Sequence, residues 1–218
     1  MSTEKTKKSC TACGVLNCYR CSGQFPPFCL TTNTDQQKRD EVITLYQEDA
    51  DVRRMAVAAA EIEGTYYGKL TRVEEIIQFA KRIGAQKIGI ATCIGLMQEA
   101  QTFAKILRVK GLESYGVICK VGAVDKTTIG IPEELKVQSG CHESLCNPVL
   151  QAKLLNEQQT DLNVVVGLCV GHDSLFIKYS EAPVTTLITK DRVLGHNPAA
   201  ALYTSGFYYK RLLQPDEE

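Results

Sequence analysis

Ten cysteines in a chain of 218 residues are its most chemically capable side chains. Five of them, Cys10, Cys13, Cys18, Cys21 and Cys29, form a C-x2-C-x4-C-x2-C-x7-C pattern. Two cysteines separated by two residues can grip one metal, because the turn between them presents both sulfurs to the same side. Four thiolates complete a tetrahedral zinc site or hold an iron–sulfur cubane. Five candidates for four places leave one spare. The four-residue gap matches neither a zinc ribbon nor a bacterial ferredoxin repeat, so spacing leaves both metals open. Residues 9–34 carry little aliphatic sequence. Burial of idle thiols is a poor account of such a segment, and something other than a core must order it.

The other five, Cys93, Cys119, Cys141, Cys146 and Cys169, are scattered in sequence. The elements around them gather them. Cys93 follows a predicted strand, Cys119 lies near the end of the next, and Cys169 closes a third. Cys141 and Cys146 sit in the loop before a helix, and join the others if that loop folds back over the sheet edge. The carboxyl ends of parallel strands form the crevice where open α/β sheets bind ligands, so these thiols point to a second metal or reactive-thiol site. Free cysteine is also an ordinary core residue, which accounts for Cys93 or Cys119 singly but not for a collection at one edge. His172, Lys190, Arg192 and His196 are expected at the same edge to orient an anion or move protons, with a hydrogen-bonded His172 and a turn role for His196 as the plainer alternatives. Gly167–Gly171 (GLCVG) copies the spacing of a nucleophile elbow with Cys169 in the serine position. Lys120, beside Cys119, can lower a thiol pKa or form a salt bridge.

The positioning elements read as follows. Asp35 caps a helix to about Gln47, and a second helix runs from Asp51 to Ile62 and is expected to stop at Gly64. Thr71 and Glu74 make a capping box for a helix ending at Gly84. Lys87–Thr92 is a strand, Leu96–Val109 a helix, Ser114–Val121 a strand, and Asn147–Gln158 a helix opened by Pro148. Leu162–Cys169 is a strand whose unbroken apolar run requires a sheet covered on both faces. A short helix from Asp173 and a strand over Val184–Lys190 follow. The alternation implies right-handed crossovers, hence an α/β, doubly wound, mostly parallel sheet of about four strands flanked by helices. The expected domains are a cysteine-rich metal-binding module over 1–34 and a helical segment plus α/β domain over 35–218.

Basic and acidic residues balance at 25 each. Lys5, Lys7 and Lys8 are the nearest approach to a basic patch, and Asp216–Glu218 reads as a solvated acidic end. Nucleic acid and membrane surfaces are therefore not expected partners. No apolar run reaches the roughly 18 residues of a membrane span. Met1–Lys8 has no apolar region of a secretory signal. A cytoplasmic, reducing setting is expected, in which ten cysteines are not a disulfide framework. Nucleotide-fingerprint, P-loop, HExxH and GxSxG motifs are missing from the chain.

The stretches CTACGVLNCY, PFC, IATCIGL, ICKVGAVDK, LCNPVLQAKLLN and NVVVGLCVGHDSLFIKYSEAPVTTLITKDRVLGHNPAAALY resemble the family catalogued as domain of unknown function 1847, described as predicted metal-binding proteins found largely in anaerobes. The resemblance spans nearly the whole chain. It implies Cys10, Cys13, Cys18 and Cys29 as the first ligand set, with Cys21 the extra thiol, and Cys119, Cys146 and Cys169 for the second site. It carries no activity.

The expectation is a cysteine-ligated metalloprotein, with an iron–sulfur cluster of the 4Fe–4S type, whose second site acts on a small, sulfur-containing molecule. The alternatives are an electron carrier or redox sensor with fully ligated clusters and a redox partner protein, or a zinc-stapled protein, zinc at its N-terminal site, with Cys169 as nucleophile and His172 or His196 as base.

Overall fold

The structure, a computed structural model, describes residues 8–216 of the chain. Lys5, Lys7 and the last two acidic residues lie outside the described residues. The chain divides into two compact units, Met1–Val57 and Ala58–Glu218.

In the first unit, short 3-10 turns at Cys10–Ala12 and Asn17–Tyr19 precede α1 (Leu30–Asn33) and α2 (Gln36–Glu48). The expected cap holds: the Asp35 carboxylate accepts from the Gln37 N–H at 2.7 Å. The first C-x2-C closes a turn, Cys13 N–H donating to the Cys10 carbonyl at 3.1 Å. Asn17 Nδ2 donates to the Gln24 carbonyl at 2.7 Å and spans the second pair. Leu16 and Cys21 take left-handed backbone, both at φ 49. No described residue from 8 to 57 is buried, as the composition of the cysteine-rich segment anticipates.

Next comes α3 (Ala50–Tyr66), which runs through Gly64 rather than stopping there. A glycine costs a helix interior about 1 kcal/mol, which the burial of Ala58 and Ile62 offsets. The chain turns later, at Gly68 with φ 67. The capping box opens α4 (Arg72–Arg82): Thr71 N–H donates to the Glu74 carboxylate at 2.8 Å and Glu74 N–H to Thr71 Oγ1 at 3.4 Å.

The sheet contains β1 (Lys87–Thr92), β2 (Glu113–Ile118), β3 (Leu162–Val166) and β4 (Val184–Ile188), parallel throughout and ordered β2-β1-β3-β4. The connecting helices are α5 (Met97–Val109), α6 (Pro148–Glu157) and α7 (His172–Tyr179). This is the doubly wound fold expected. Its order reverses between β1 and β3, and that point is where such sheets open their crevice. Ala91, Val117 and Val165 pack with Ala152 and Leu155 of α6 and Phe176 of α7. By strand alternation Ile88, Ile90, Val164 and Val166 take the opposite face, all buried.

Three strands are shorter than the sequence suggests, β4 stopping at Ile188 rather than Lys190. β2 ends at Ile118 because a turn follows, Ala123 N–H donating to the Lys120 carbonyl at 3.0 Å with Gly122 at φ 89. β3 ends at Val166 because Gly167 turns the chain at φ 72, where a Cβ would lie 1.9 Å from Leu96 Cδ1. Cys169 therefore lies past the strand end. A last helix, α8 (Ala199–Tyr203), follows Pro198 and is absent from the sequence expectations.

Gly89 of β1 pairs in register with Asn163 of β3. A Cβ at Gly89 would fall 1.9 Å from Asn163 Oδ1 and 2.9 Å from Leu155 Cδ1. Asn163 cannot yield freely, since Oδ1 accepts from Thr160 Oγ1 at 2.8 Å and Nδ2 donates to Ser180 Oγ at 2.6 Å. Gly89→Ala is expected to cost about 1–3 kcal/mol in urea denaturation. Gly116→Ala, whose added Cβ would meet nothing nearer than 3.9 Å, should cost clearly less.

Candidate functional site

The β1–β2 register pairs Ala91 with Val117 and Thr92 with Ile118. One step further along both chains are Cys93 and Cys119, and the Cys119 N–H continues the ladder to the Thr92 carbonyl at 2.8 Å. Both thiols belong to the face that carries Ala91 and Val117, and both are buried, at 6% and 2% exposure. The loop after Cys119 then folds back on itself. Leu145 N–H donates to the Val124 carbonyl at 2.8 Å, Lys126 N–H to the Glu143 carbonyl at 3.0 Å, and Asp125 bridges Ser144 in antiparallel fashion. The return ends where Asn147 N–H donates to the Cys119 carbonyl at 2.7 Å. Asn147 also caps α6, accepting from Leu150 N–H at 3.1 Å. This seats Cys146 beside Cys119.

Cys119 thus stands between two thiols, Cys93 in the same buried cluster and Cys146 packed against it. The Ile94 N–H donates to its sulfur at 3.4 Å. One shared position cannot carry three thiolates in contact, so the hydrogen bonds to Cys146 and Cys93 push the Cys119 thiol far up. Donation from Cys119 pulls Cys93 down to about 4, with Lys190 assisting. It pulls Cys146 down to about 5, with Lys120 and His172 adding attraction. The set ionises at its two ends and keeps its proton in the middle.

A cavity of about 760 Å³ opens over these residues, lined by Cys93, Cys146, Cys169, His172, Lys120 and Arg192 among others. Arg192 Nη2 donates to Cys169 Sγ at 3.0 Å. The Cys169 carbonyl accepts the first N–H groups of α7, from His172 at 3.0 Å and Asp173 at 3.1 Å. Gly167 and Gly171 take the positive φ of this turn while Cys169 does not, so the sequence spacing of an elbow comes without a strained residue at its centre. His172 Nδ1 is buried with no hydrogen-bond partner among the described residues.

Of the residues expected at this edge, Cys93, Cys119 and Cys146 converge, Lys190 reaches Cys93, and Arg192 reaches Cys169. Cys141 does not join them: it is exposed, its thiol donating to the Gln138 carbonyl at 3.4 Å. His196 is a turn residue at φ 67, its Nδ1 accepting from Asp191 N–H at 3.2 Å. Lys120 makes a hydrogen bond to the Ser144 carbonyl at 2.6 Å rather than a salt bridge. Sequence reasoning missed Gln151, buried on α6, whose Nε2 donates to the Thr92 and Val117 carbonyls near the ends of β1 and β2 at 3.2 and 2.6 Å. A glutamine at an apolar helix position was its only signal. It also missed Lys126 and Glu143, an ion pair in the loop wall.

All ten cysteines are free. Among the described residues no three Cys, His, Asp or Glu side chains meet around a point that would hold a single metal ion, at either cysteine set. The chemistry of the edge donors does suit a soft centre: adjoining thiols, an N–H aimed at sulfur, and cations beside them.

The family described as protein of unknown function, domain of unknown function 1847, matches residues 29–187. The chain belongs to that family. An uncharacterised protein of Methanocaldococcus jannaschii is 46% identical over 207 residues, covering 94% of this chain and 98% of its own length. No solved structure matches. The span matched to domain of unknown function 1847 takes in Cys93, Cys119, Cys146, Cys169 and His172, and leaves Cys10, Cys13, Cys18, Lys190 and Arg192 outside. Among the described residues no helix is long and apolar enough to cross a membrane.

Because their pKa values are lowered, Cys93 and Cys146 should remain thiolate well below the pH at which an ordinary cysteine, near 8.5, protonates. In chelator-treated protein, iodoacetamide labelling followed by peptide mass analysis should find Cys146 modified at pH 6.5 faster than exposed Cys141. Cys119→Ala should erase that advantage by removing the shared donor. The loop wall has its own pH response. Asp125 accepts from Thr127 N–H at 2.9 Å, Thr127 Oγ1 at 2.8 Å and Glu143 N–H at 2.9 Å, and pairs with Lys136 at 3.1 Å. The Thr127 bonds lead in holding its carboxyl well below the usual range. A depressed folded pKa stabilises above the unfolded value, about 3.9, and is lost as pH falls through the folded one. Hydrogen-exchange protection across 124–145, taken relative to the intrinsic rate at each pH, should therefore fall below about pH 4, before that of the sheet amides, and Asp125→Asn should show the same loss of protection at neutral pH.

Proposed function

We propose that the carboxyl edge of the sheet is the working site of a cysteine-ligated metalloprotein, in which Cys93, Cys119 and Cys146 hold an iron–sulfur cluster of the 4Fe–4S type and a small, sulfur-containing molecule is taken up beside it. The observation that carries this reading is a row of adjoining thiols from three elements, Cys93 after β1, Cys119 after β2 and Cys146 before α6, each brought there by backbone hydrogen bonds. When bound, such a group supplies iron that exchanges electrons or acts as a Lewis acid. The chain's own residues supply the rest. The Ile94 N–H and the cations Lys120 and Lys190 offset the negative charge of the sulfurs. Arg192 holds the Cys169 sulfur at the cavity wall, and the His172 ring offers a nitrogen that can hold or pass a proton.

In the same reading Cys10, Cys13, Cys18 and Cys29 take a second cluster or a zinc ion, which orders a unit without buried residues. The setting is the reducing cytoplasm, where unpaired thiols persist. The even charge balance argues against nucleic acid as a partner. A second reading has one observation in its favour: Arg192 Nη2 donates to Cys169 Sγ at 3.0 Å and fixes that sulfur on the cavity wall, where a cysteine nucleophile would meet a bound molecule.

Iron, zinc and acid-labile sulfide measured on protein purified without oxygen test both. Iron with matching sulfide is expected. Cys119→Ser should remove the edge share and Cys13→Ser the N-terminal share. Zinc alone, at about one per chain, would end the cluster reading. Cys169→Ser should leave metal content unchanged, and loss of metal in that variant would make Cys169 a ligand instead.

A further inference from the structure

The cavity has two unlike walls. On the strand-end side stand the thiols with Lys120, His172 and Arg192. The loop side contributes the aliphatic Ile129, Leu135 and Val137, 65%, 68% and 86% exposed, beside Gln138 and a Lys126–Glu143 pair whose charges answer each other, and Ile94, just after Cys93, adds a fourth aliphatic side chain at 56%. Isolated exposed aliphatic residues are ordinary, but four lining one concavity opposite a polar cluster form a surface that water serves badly. The polar side has unspent capacity. Among the described residues no carboxylate lies within salt-bridge distance of Lys120 or Arg192. Lys120 donates to a neutral carbonyl and among the described residues otherwise faces only Cys146, and Arg192 gives one N–H to Cys169 out of the five a guanidinium carries. His172 Nδ1 is buried with no described partner, and a buried ring nitrogen without one is costly. The volume, about 760 Å³, is in the range of small-molecule sites.

We infer that this cavity takes an amphipathic small molecule, an aliphatic body carrying a compact anionic head such as a carboxylate or thiocarboxylate, with the head at Arg192, Lys120 and His172 and the body along Ile94, Ile129, Leu135 and Val137. The inference rests on the reading above only in taking this cavity as the working site; it does not depend on what the thiols hold. Arg192 has the planar fork that engages a carboxylate through two parallel N–H bonds. Burying the aliphatic body against the loop wall supplies the affinity that the head alone lacks.

The test is isothermal titration of the full chain, purified without oxygen, with octanoate, acetate and octylammonium. Octanoate should bind saturably, acetate at least about 30-fold more weakly, and octylammonium more weakly than octanoate. Arg192→Gln should weaken octanoate by about 10-fold or more. Val137→Asp, at a position too exposed to disturb folding, should weaken it similarly. No saturable binding of octanoate to the unmodified chain, equal binding of octylammonium, or full affinity in Val137→Asp would each overturn the inference. Iron measured on the same samples separates the two claims. Octanoate bound without iron sinks the cluster reading and leaves this one standing; iron present without octanoate binding does the reverse.

Discussion

The site depends first on the parallel register between β1 and β2. Alignment of Ala91 with Val117 and of Thr92 with Ile118 carries one residue further to Cys93 and Cys119, side by side on one face at the carboxyl end. A slip of one residue would turn one thiol to the opposite face, because side chains alternate along a strand. That register is held by what packs beneath it. Gly89 leaves room for Asn163, and Gln151 ties the Thr92 carbonyl of β1 to the Val117 carbonyl of β2. The glycine in the first strand is thus a packing requirement four residues before Cys93, the thiol it helps to place.

The loop between β2 and α6 supplies what the strands cannot. It leaves from Cys119, pairs with itself through Val124–Leu145 and Lys126–Glu143, and returns to the Cys119 carbonyl. One excursion thereby delivers Cys146 to the thiol pair and raises an aliphatic wall over it. Its own order is electrostatic more than apolar, since Asp125 gathers Thr127, Glu143 and Lys136 around one carboxylate. A wall whose leucine and valine side chains face outward cannot be held by burying them, so charge and hydrogen bonds have to position it.

Most of the fold was legible. The capping box at Thr71, the cap at Asp35, the apolar runs of β1 and β3 and the Asn-Pro opening of α6 are local signals that act over a few residues. Errors fell where tertiary packing decides. Gly64 looked like a stop, yet α3 continues through it. Gly167 looked like strand interior, yet the close approach of Leu96 makes it the turn that ends β3. At the site, the sequence gathered five thiols at this edge and the resemblance favoured Cys119, Cys146 and Cys169; that Cys93 adjoins Cys119 came from the strand register. The exclusion of Cys141 was not legible, because it hangs on how far into the loop the backbone pairing extends. Nor was Gln151, which does its work through a hydrogen bond to strands more than thirty residues away in sequence.

The sequence by itself determined the element types, their order and the sheet's parallel character, since helical and strand periodicities and caps are set by near neighbours. It also determined that thiols would sit at strand ends. Tertiary structure alone decided which thiols adjoin and that Arg192 meets Cys169 and not a carboxylate, whereas the turn at His196 was already legible. The physical reason is range. Periodicity and capping act within a turn or two of chain, whereas register, loop return and charge pairing are fixed by contacts between segments that only folding brings together.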